Sequence, residues 1–201
     1  MSDIPQIWRR IEHWLAEHAP EALVQLRPGA SPTAIERAEA KLKAPLLPEY
    51  RASVLVHDGS ANPSIDHGLM EGYVLYSLEK VLKTRELLRE LDKSSPPSQS
   101  QHARALPAPG VRQAWWDDGW IAIAGDTMRD LVCIDTVPAP GGTVGQLVRY
   151  ISDTPDRDLI APSFGAWLAR VATNLEGGEL VADRDSDGDL TGFKHRSETE
   201  L

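Results

Sequence analysis

The fold is decided by three apolar segments, which read Trp120-Ile121-Ala122-Ile123-Ala124, Leu131-Val132-Cys133-Ile134-Asp135 and Gly145-Gln146-Leu147-Val148-Arg149-Tyr150-Ile151. Each segment is short and contains β-branched or aromatic side chains, which favour β-strands. Glycine-containing turns separate them, at Gly125-Asp126 and at residues 138–142. Consecutive strands with short connections pair most simply as an antiparallel meander. We therefore predict a sheet whose neighbouring strands follow one another along the chain.

Amphipathic helices flank these strands. The clearest helix starts at Ser163 and places its apolar residues on one face: Phe164, Trp167, Leu168, Val171 and Leu175. Gly177-Gly178 ends it. Earlier helices are predicted from apolar stripes that follow good starting residues: Asp3, Ser31-Pro32, Pro48 and Ser77.

The order of these elements predicts the fold class. Helices mostly precede the strands and do not alternate with them in a βαβ series, which indicates an α+β fold. We expect a single domain, residues 1–182, in which helices pack against a mostly antiparallel, meander-like sheet. A Pro- and Ser-rich insert at 93–110 is expected to be flexible. Residues 183–201 are expected to form an acidic C-terminal hairpin and tail, with Asp187-Gly188 at the turn.

The charge of the chain limits its partners. It has 201 residues, with 30 acidic and 21 basic side chains and a formal net charge of −9. Direct nucleic-acid binding needs a basic face that displaces counterions from phosphates, so this balance argues against it. No apolar stretch reaches the roughly 18 residues that a membrane helix needs, and the single cysteine, Cys133, excludes an internal disulfide. We expect a cytoplasmic protein without a membrane partner.

Familiar catalytic signatures are missing from the sequence, which has no Walker phosphate loop, no Gly-x-Ser-x-Gly elbow and no His-Glu-x-x-His motif. Cys133 lies among strand hydrophobes and is expected to be buried and inert. The segment 183–191 begins like a calcium loop, but Lys194 stands where a bidentate glutamate is needed. An acidic hairpin turn is favoured over a calcium site there, while a weak cation site of another kind stays open. We predict no enzyme, no catalytic residue, no metal site and no cofactor.

The densest aromatic cluster reads Trp115-Trp116-Asp117-Asp118-Gly119-Trp120. Tryptophan dominates the energetics of protein interfaces, so the cluster is a candidate binding surface. Trp116 and Trp120 are better explained as core residues at the start of a strand, whereas Trp115 suits either role. The neighbouring Asp117 and Asp118 are expected to be exposed and to offer acids to a basic partner.

A further set of segments follows in a characteristic order: the early tryptophan-bearing helix, Ser31-Pro32 to Leu42, Leu47-Pro48-Glu49-Tyr50, His57-Asp58-Gly59, the strands from Trp116 to Val148, and Ser163-Phe164-Gly165-Ala166-Trp167-Leu168. Over residues 4–182 this set resembles the SUKH superfamily, in its branch related to the fungal cell-wall-assembly regulators of the Smi/Knr type. The resemblance implies a non-enzymatic α+β domain. Bacterial members are typically immunity proteins that neutralise a co-encoded toxin, and eukaryotic relatives are regulatory interaction hubs.

Two functions compete on this resemblance. The first is an immunity protein, which binds a cognate secreted toxin, a nuclease or another effector, and occludes its active surface. Asp117, Asp118, Asp126 and Asp130, around Trp115, would then take the place of phosphate in the basic groove of a nuclease. The second is a non-catalytic regulatory or scaffold module that binds a cellular protein. The sequence does not separate the two.

Overall fold

Several helices of the protein begin at a residue whose side chain caps them. The computed structural model describes residues 2–61, 68–94, 98, 104–126 and 130–198. Its helices are α1 (Ile4–His18), α2 (Pro20–Leu23), α3 (Pro32–Leu42), α4 (Pro48–Val56), α5 (Leu78–Ser94) and α6 (Phe164–Gly177). The Ser31 side chain accepts the backbone N–H of Ala34, and the Ser163 side chain accepts that of Ala166. Within these ranges, none of the helices combines the length and the apolar character that crossing a membrane needs.

An antiparallel sheet of five strands lies at the centre of the fold. The strands in chain order are β1 (Val74–Leu75), β2 (Leu106–Pro107), β3 (Trp120–Gly125), β4 (Asp130–Asp135), β5 (Leu147–Ile151), β6 (Asp156–Arg157), β7 (Leu159–Ala161), β8 (Leu180–Arg184) and β9 (Leu190–His195). The central sheet has the order β1-β3-β4-β5-β7, and every neighbouring pair in it is antiparallel. Because β3, β4 and β5 are consecutive, the predicted meander and the α+β class are confirmed.

The core lies between this sheet and the helices. Every residue of β3 is buried, so this central strand is covered on both faces. The helices α1, α4 and α6 pack against one another and bury the indole rings of Trp8 and Trp167. Trp8 also donates its indole N–H to the hydroxyl of Ser53 at 2.9 Å. Trp120 is fully buried, as the sequence predicted.

The insert at 93–110 differs from the expected flexible loop at both of its ends. Helix α5 continues through Ser94, and β2 pairs in parallel with β6 near the other end. Ala105 is buried beside that strand. The polar composition of the segment predicts a flexible loop. The strand β2 forms nevertheless, because it pairs with β6, which lies far along the chain. Residues 95–97 and 99–103 of the predicted insert lie outside the described residues.

The C-terminal hairpin is part of the main core. Strands β8 and β9 pair antiparallel, and Leu180 and Phe193 are both buried. The Phe193 ring lies 6.5 Å from the ring of Trp14 on α1. The expected boundary after residue 182 therefore falls inside β8, and the hairpin buries apolar side chains against the helices. Residues 199–201 of the predicted tail lie outside the described residues.

Candidate functional site

The candidate partner-binding acids fall into two groups at opposite ends of β3. Asp117 and Asp118 precede this strand, whereas Asp126 follows it and Asp130 begins β4 beside that same end. The 6 residues of β3 span about 17 Å of extended chain. The structure therefore does not bring these acids together into the single patch that the sequence suggested.

Asp118 is held by two arginines of α5. Arg89 donates to both of its carboxylate oxygens, at 2.6 and 2.5 Å, and Arg85 donates to one of them at 3.2 Å. The hydrogen bond from Arg89 is the main cause that lowers the pKa of Asp118, with a smaller effect of the charge on Arg85. The carboxylate is 52% exposed, so solvent reaches it while its charge is largely offset by these neighbours.

Asp117 has a local structural role. Its Oδ1 accepts the backbone N–H of Gly119 at 2.8 Å, and Arg112 donates to its Oδ2 at 3.2 Å. The side chain is only 18% exposed. This arrangement is an Asx turn that leads the chain into β3. Asp117 is thus less exposed than the sequence suggested.

Asp130 and Asp126 organise the other end of β3. The Nε of Arg149 donates to both oxygens of Asp130 at 3.0 Å, and Arg149 Nη2 makes a further contact with the same carboxylate. The hydroxyl of Tyr73 lies 3.3 Å from it, and burial together with this charge raises the pKa of Tyr73. Asp126 accepts the backbone N–H of Asp130 at 3.2 Å. At this end too, internal bonds take up acids that were expected to face a partner.

Trp115 is tied to a buried arginine that the sequence did not reveal. Arg157 is completely buried and its guanidinium lies 5.1 Å from the centre of the Trp115 ring and 4.7 Å from that of Tyr150. It also donates to the carbonyl oxygen of Trp115, at 2.6 and 3.1 Å, and to that of Thr154 at 2.9 Å. Asp156 and Asp158 flank it in the sequence, and charged residues are mostly exposed, so nothing in the local sequence pointed to the burial of Arg157.

Two side chains of types that act in catalysis, Cys133 and His57, lie inside the fold and contact other groups of the chain. Cys133 is fully buried, and this burial raises the pKa of its thiol, which keeps it protonated. His57 places Nδ1 2.9 Å from the carbonyl oxygen of Arg27 and Nε2 2.8 Å from a carboxylate oxygen of Glu12. In the part of the chain that the structure describes, no group of 3 or more His, Cys, Asp or Glu side chains could hold a metal ion.

The acidic segment after β8 forms a hydrogen-bonded turn. Asp185 accepts the backbone N–H groups of Asp187 and Asp189 with one carboxylate oxygen, both at 2.9 Å. Lys194 Nζ lies 2.7 Å from a carboxylate oxygen of Asp183. The acids at positions one and three of the calcium-loop pattern thus serve the hairpin itself, in agreement with the acidic turn that the sequence favoured.

A crease lined mostly by charged side chains lies between α3 and α5. It has a volume of about 610 Å³ and is lined by Lys41 of α3 and by a series of α5 side chains. Arg85, Arg89 and Lys93 of this series recur every four residues and so share one side of the helix. We call this depression the α5 crease. The four-residue spacing of basic residues is the one sequence signal that could have located it.

A second, more apolar depression lies where the first turns of α4 and α6 meet. This apolar groove has a volume of about 390 Å³, and its lining includes Leu47, Ile134, Val144 and Phe164. Val144 on its rim is 59% exposed. Both depressions are concave surfaces that could receive another molecule.

Several fungal proteins are similar to this chain over nearly its whole length. The Schizosaccharomyces pombe protein named "Cell wall biosynthesis/cell cycle regulator smi1" is 27% identical over 193 residues, which are 92% of this chain and 38% of that protein. The Neurospora crassa "Glucan synthesis regulatory protein" is 22% identical, with 90% of this chain and 40% of the relative covered. The Saccharomyces cerevisiae "Cell wall assembly regulator SMI1" is 24% identical, with 91% and 44% covered. The chain thus spans well under half the length of these relatives.

A family profile matches the central part of the chain. The profile is that of the SMI1 / KNR4 family (SUKH-1), and it covers residues 29–170. This range holds α3, α4, α5, the whole five-stranded sheet and the first half of α6. Both candidate depressions lie within it. The chain therefore belongs to the SMI1 / KNR4 family (SUKH-1), as its resemblance to the Smi/Knr branch predicted.

Proposed function

We propose that this chain is a non-catalytic regulatory module that acts by binding another protein. The observation that carries the proposal is the family match over residues 29–170, together with similar proteins that are named as regulators of cell wall assembly and glucan synthesis. The chain matches only about two-fifths of the length of those relatives. That it regulates a process of the kind named for them is therefore part of the proposal. The binding of a protein is the physical means that the structure supports.

The state of the polar side chains supports a binding role over a chemical one. General acid–base and nucleophilic chemistry need a titratable group that is accessible and in reach of a reacting atom. Cys133 is buried, and His57 already has an acceptor at each ring nitrogen. Asp118 and Asp130 are engaged by arginines. A rigid domain with such satisfied groups is suited to presenting a fixed surface.

Toxin neutralisation stays a prediction that no observation here favours. The proposed phosphate mimicry needs acids whose charge is available to a basic groove. Arginines of the chain itself offset the charges of Asp117, Asp118 and Asp130. The relatives that match are named as regulators. A regulatory target is therefore the better proposal.

The proposal can be tested in the organism that makes the protein. The chain is tagged at its own locus, crosslinked in living cells and purified, and the crosslinked species are identified by mass spectrometry. We expect one protein to be joined to the chain reproducibly, and loss of the gene to disturb the process in which that protein acts. A tagged chain that stays at the mass of its own monomer after efficient crosslinking would contradict a binding role. Crosslinking to the product of an adjacent toxin gene would favour neutralisation instead.

A further inference from the structure

The charge of the α5 crease differs from that of the rest of the chain. The chain has a formal net charge of −9, yet the crease is lined by more cations than acids. Its cations are Lys41, Lys83, Arg85, Arg89 and Lys93, and its acids are Glu79, Glu86 and Glu90. Glu79 lies 2.6 Å from Lys83, so these two charges offset each other. The net negative charge of the protein repels anions, so an anionic partner is attracted to the positive crease and not to the rest of the surface.

The basic residues of the crease have a regular spacing. Arg85, Arg89 and Lys93 are four residues apart on α5, so each step is about 6 Å along the helix axis and the row is about 12 Å long. In an extended peptide, every second side chain points to the same face, at steps of about 6.6 Å. Three acidic side chains at alternate positions therefore span about 13 Å. This distance matches the row of cations to within about 1 Å.

A carboxylate of the chain already uses part of this row. Asp118 accepts hydrogen bonds from both Arg85 and Arg89, so a single negative charge serves two guanidinium groups. The Arg85 side chain is only 12% exposed and its Nε is buried, so an incoming carboxylate reaches Arg85 at the end of the guanidinium that Asp118 now holds. Each guanidinium has five N–H donors, more than one shared carboxylate can accept from two arginines. The positive charge of the row is thus only partly neutralised. The contact with Asp118 shows how these arginines would bind a carboxylate of a partner.

We propose that the α5 crease binds an extended acidic segment of a partner protein, with carboxylates at alternate positions opposite Arg85, Arg89 and Lys93. Asp118 occupies the arginine end of the row and competes with the incoming segment. This inference rests on the proposed function, since it names the surface and the chemistry of the partner. The neighbouring acids Glu86 and Glu90 lie about 100° further round the helix from the arginines, and they disfavour a broad polyanion that would cover both rows.

The test uses the full chain and a labelled peptide. Binding of a fluorescein-labelled octapeptide that alternates Asp and Ser is followed by fluorescence anisotropy at low ionic strength. Lys93→Glu is expected to weaken binding by about three- to tenfold, because it replaces an attraction by a repulsion at one end of the row. Arg9→Glu makes the same change of charge on the exposed face of α1, and is expected to change affinity by less than about twofold. Asp118→Asn removes the competing charge and is expected to strengthen binding by about threefold.

Two further probes test the geometry and the class of partner. A peptide with the same numbers of Asp and Ser, but with the acids in one block, is expected to bind more weakly than the alternating peptide. A single-stranded oligothymidylate of similar length is expected to bind more weakly still. Thermal unfolding of each variant shows whether it is folded at the assay temperature.

Several results would overturn the proposal. Equal losses for Lys93→Glu and Arg9→Glu would show that only the net charge matters. Equal binding of both peptides would refute the spacing argument, and tighter binding of the oligonucleotide would refute the acidic protein segment. Unchanged affinity in Asp118→Asn would show that this residue does not compete. None of these peptide-binding results affects the crosslinking experiment. A failure of the acidic-segment proposal can therefore be told apart from a failure of the proposed function.

Discussion

Replacing the buried arginine is the most informative perturbation of the fold. Arg157 joins two segments that are far apart in the sequence, since it donates to the carbonyl oxygens of Trp115 and Thr154 and stacks against the ring of Tyr150. In Arg157→Ala these part-buried carbonyl oxygens lose a charged donor. A buried acceptor without a partner costs about 1–3 kcal/mol. The truncation also leaves a cavity where the side chain was.

The loss is reduced because the variant no longer buries a charge. Desolvation of an ion costs several kcal/mol, and it lowers the pKa of Arg157 in the folded protein. Removal of one member of a buried charged network still costs about 3–5 kcal/mol in most proteins. We therefore expect Arg157→Ala to lower the free energy of unfolding by about 3 kcal/mol. For a chain of this size, that corresponds to a fall in Tm of roughly 6–12 °C.

Urea and thermal unfolding, followed by circular dichroism and tryptophan fluorescence, measure this effect. Arg157→Lys keeps the charge but loses the planar fork, so we expect a loss of about 2 kcal/mol. Arg9→Ala is the matched control, because Arg9 is exposed and hydrogen-bonded only to Gln6 in the structure, and it should change stability by less than about 0.5 kcal/mol. If Arg157→Ala and Arg9→Ala were equally stable, the reasoning about the buried guanidinium would be refuted.

Three further predictions concern pH, backbone packing and the thiol. Burial raises the pKa of the Asp135 carboxyl group, so this group keeps its proton to a higher pH in the folded protein than in the unfolded chain. The free energy of unfolding should therefore fall as the pH rises through that raised pKa, and Asp135→Asn should remove this part of the pH dependence. Gly119→Ala would place a Cβ 2.1 Å from a methyl group of Val137 and should cost about 1–3 kcal/mol, whereas Gly177→Ala meets no atom within 4 Å and should stabilise α6 by about 0.5–1 kcal/mol. Cys133 should react with an aromatic disulfide reagent only at the rate at which the protein opens.

Each of these predictions has a result that contradicts it. If the wild type and Asp135→Asn showed the same dependence of stability on pH, the Asp135 carboxyl group would not contribute to that dependence. Equal effects of Gly119→Ala and Gly177→Ala would show that the close approach to Val137 is relieved without cost. Rapid labelling of Cys133 under conditions in which unfolding is slow would show that its burial is incomplete.

Much of the architecture could be predicted because the signals are local. In β3 and β4, runs of apolar residues are separated by short turns, and this pattern is sufficient to predict adjacent antiparallel strands. The spacing of Phe164, Trp167 and Val171 on α6 likewise marks one buried helix face. The limits of the predicted insert follow local composition, whereas β2 is set by its pairing with β6, about 50 residues further along the chain.

The candidate site was harder to predict, because the positions of charged residues along the sequence do not show which of them form ion pairs in the fold. Asp117 and Asp118 looked like two exposed acids, and only the folded chain shows that Arg112 holds one while Arg85 and Arg89 hold the other. The sequence separation between Asp118 and Arg89 is 29 residues. A pattern of residues along the chain contains no information about such a contact.

Local patterns along the chain were enough to predict the strands, the helix faces and the family, because burial of apolar side chains imposes a period on neighbouring residues. Which charged groups meet became visible only in the folded chain. The fold buries Arg157 between two aromatic rings and places Asp118 on the basic row of α5. Ion pairs and carbonyl contacts depend on distances of a few ångströms between segments that are remote in the chain, and packing of the whole core fixes those distances.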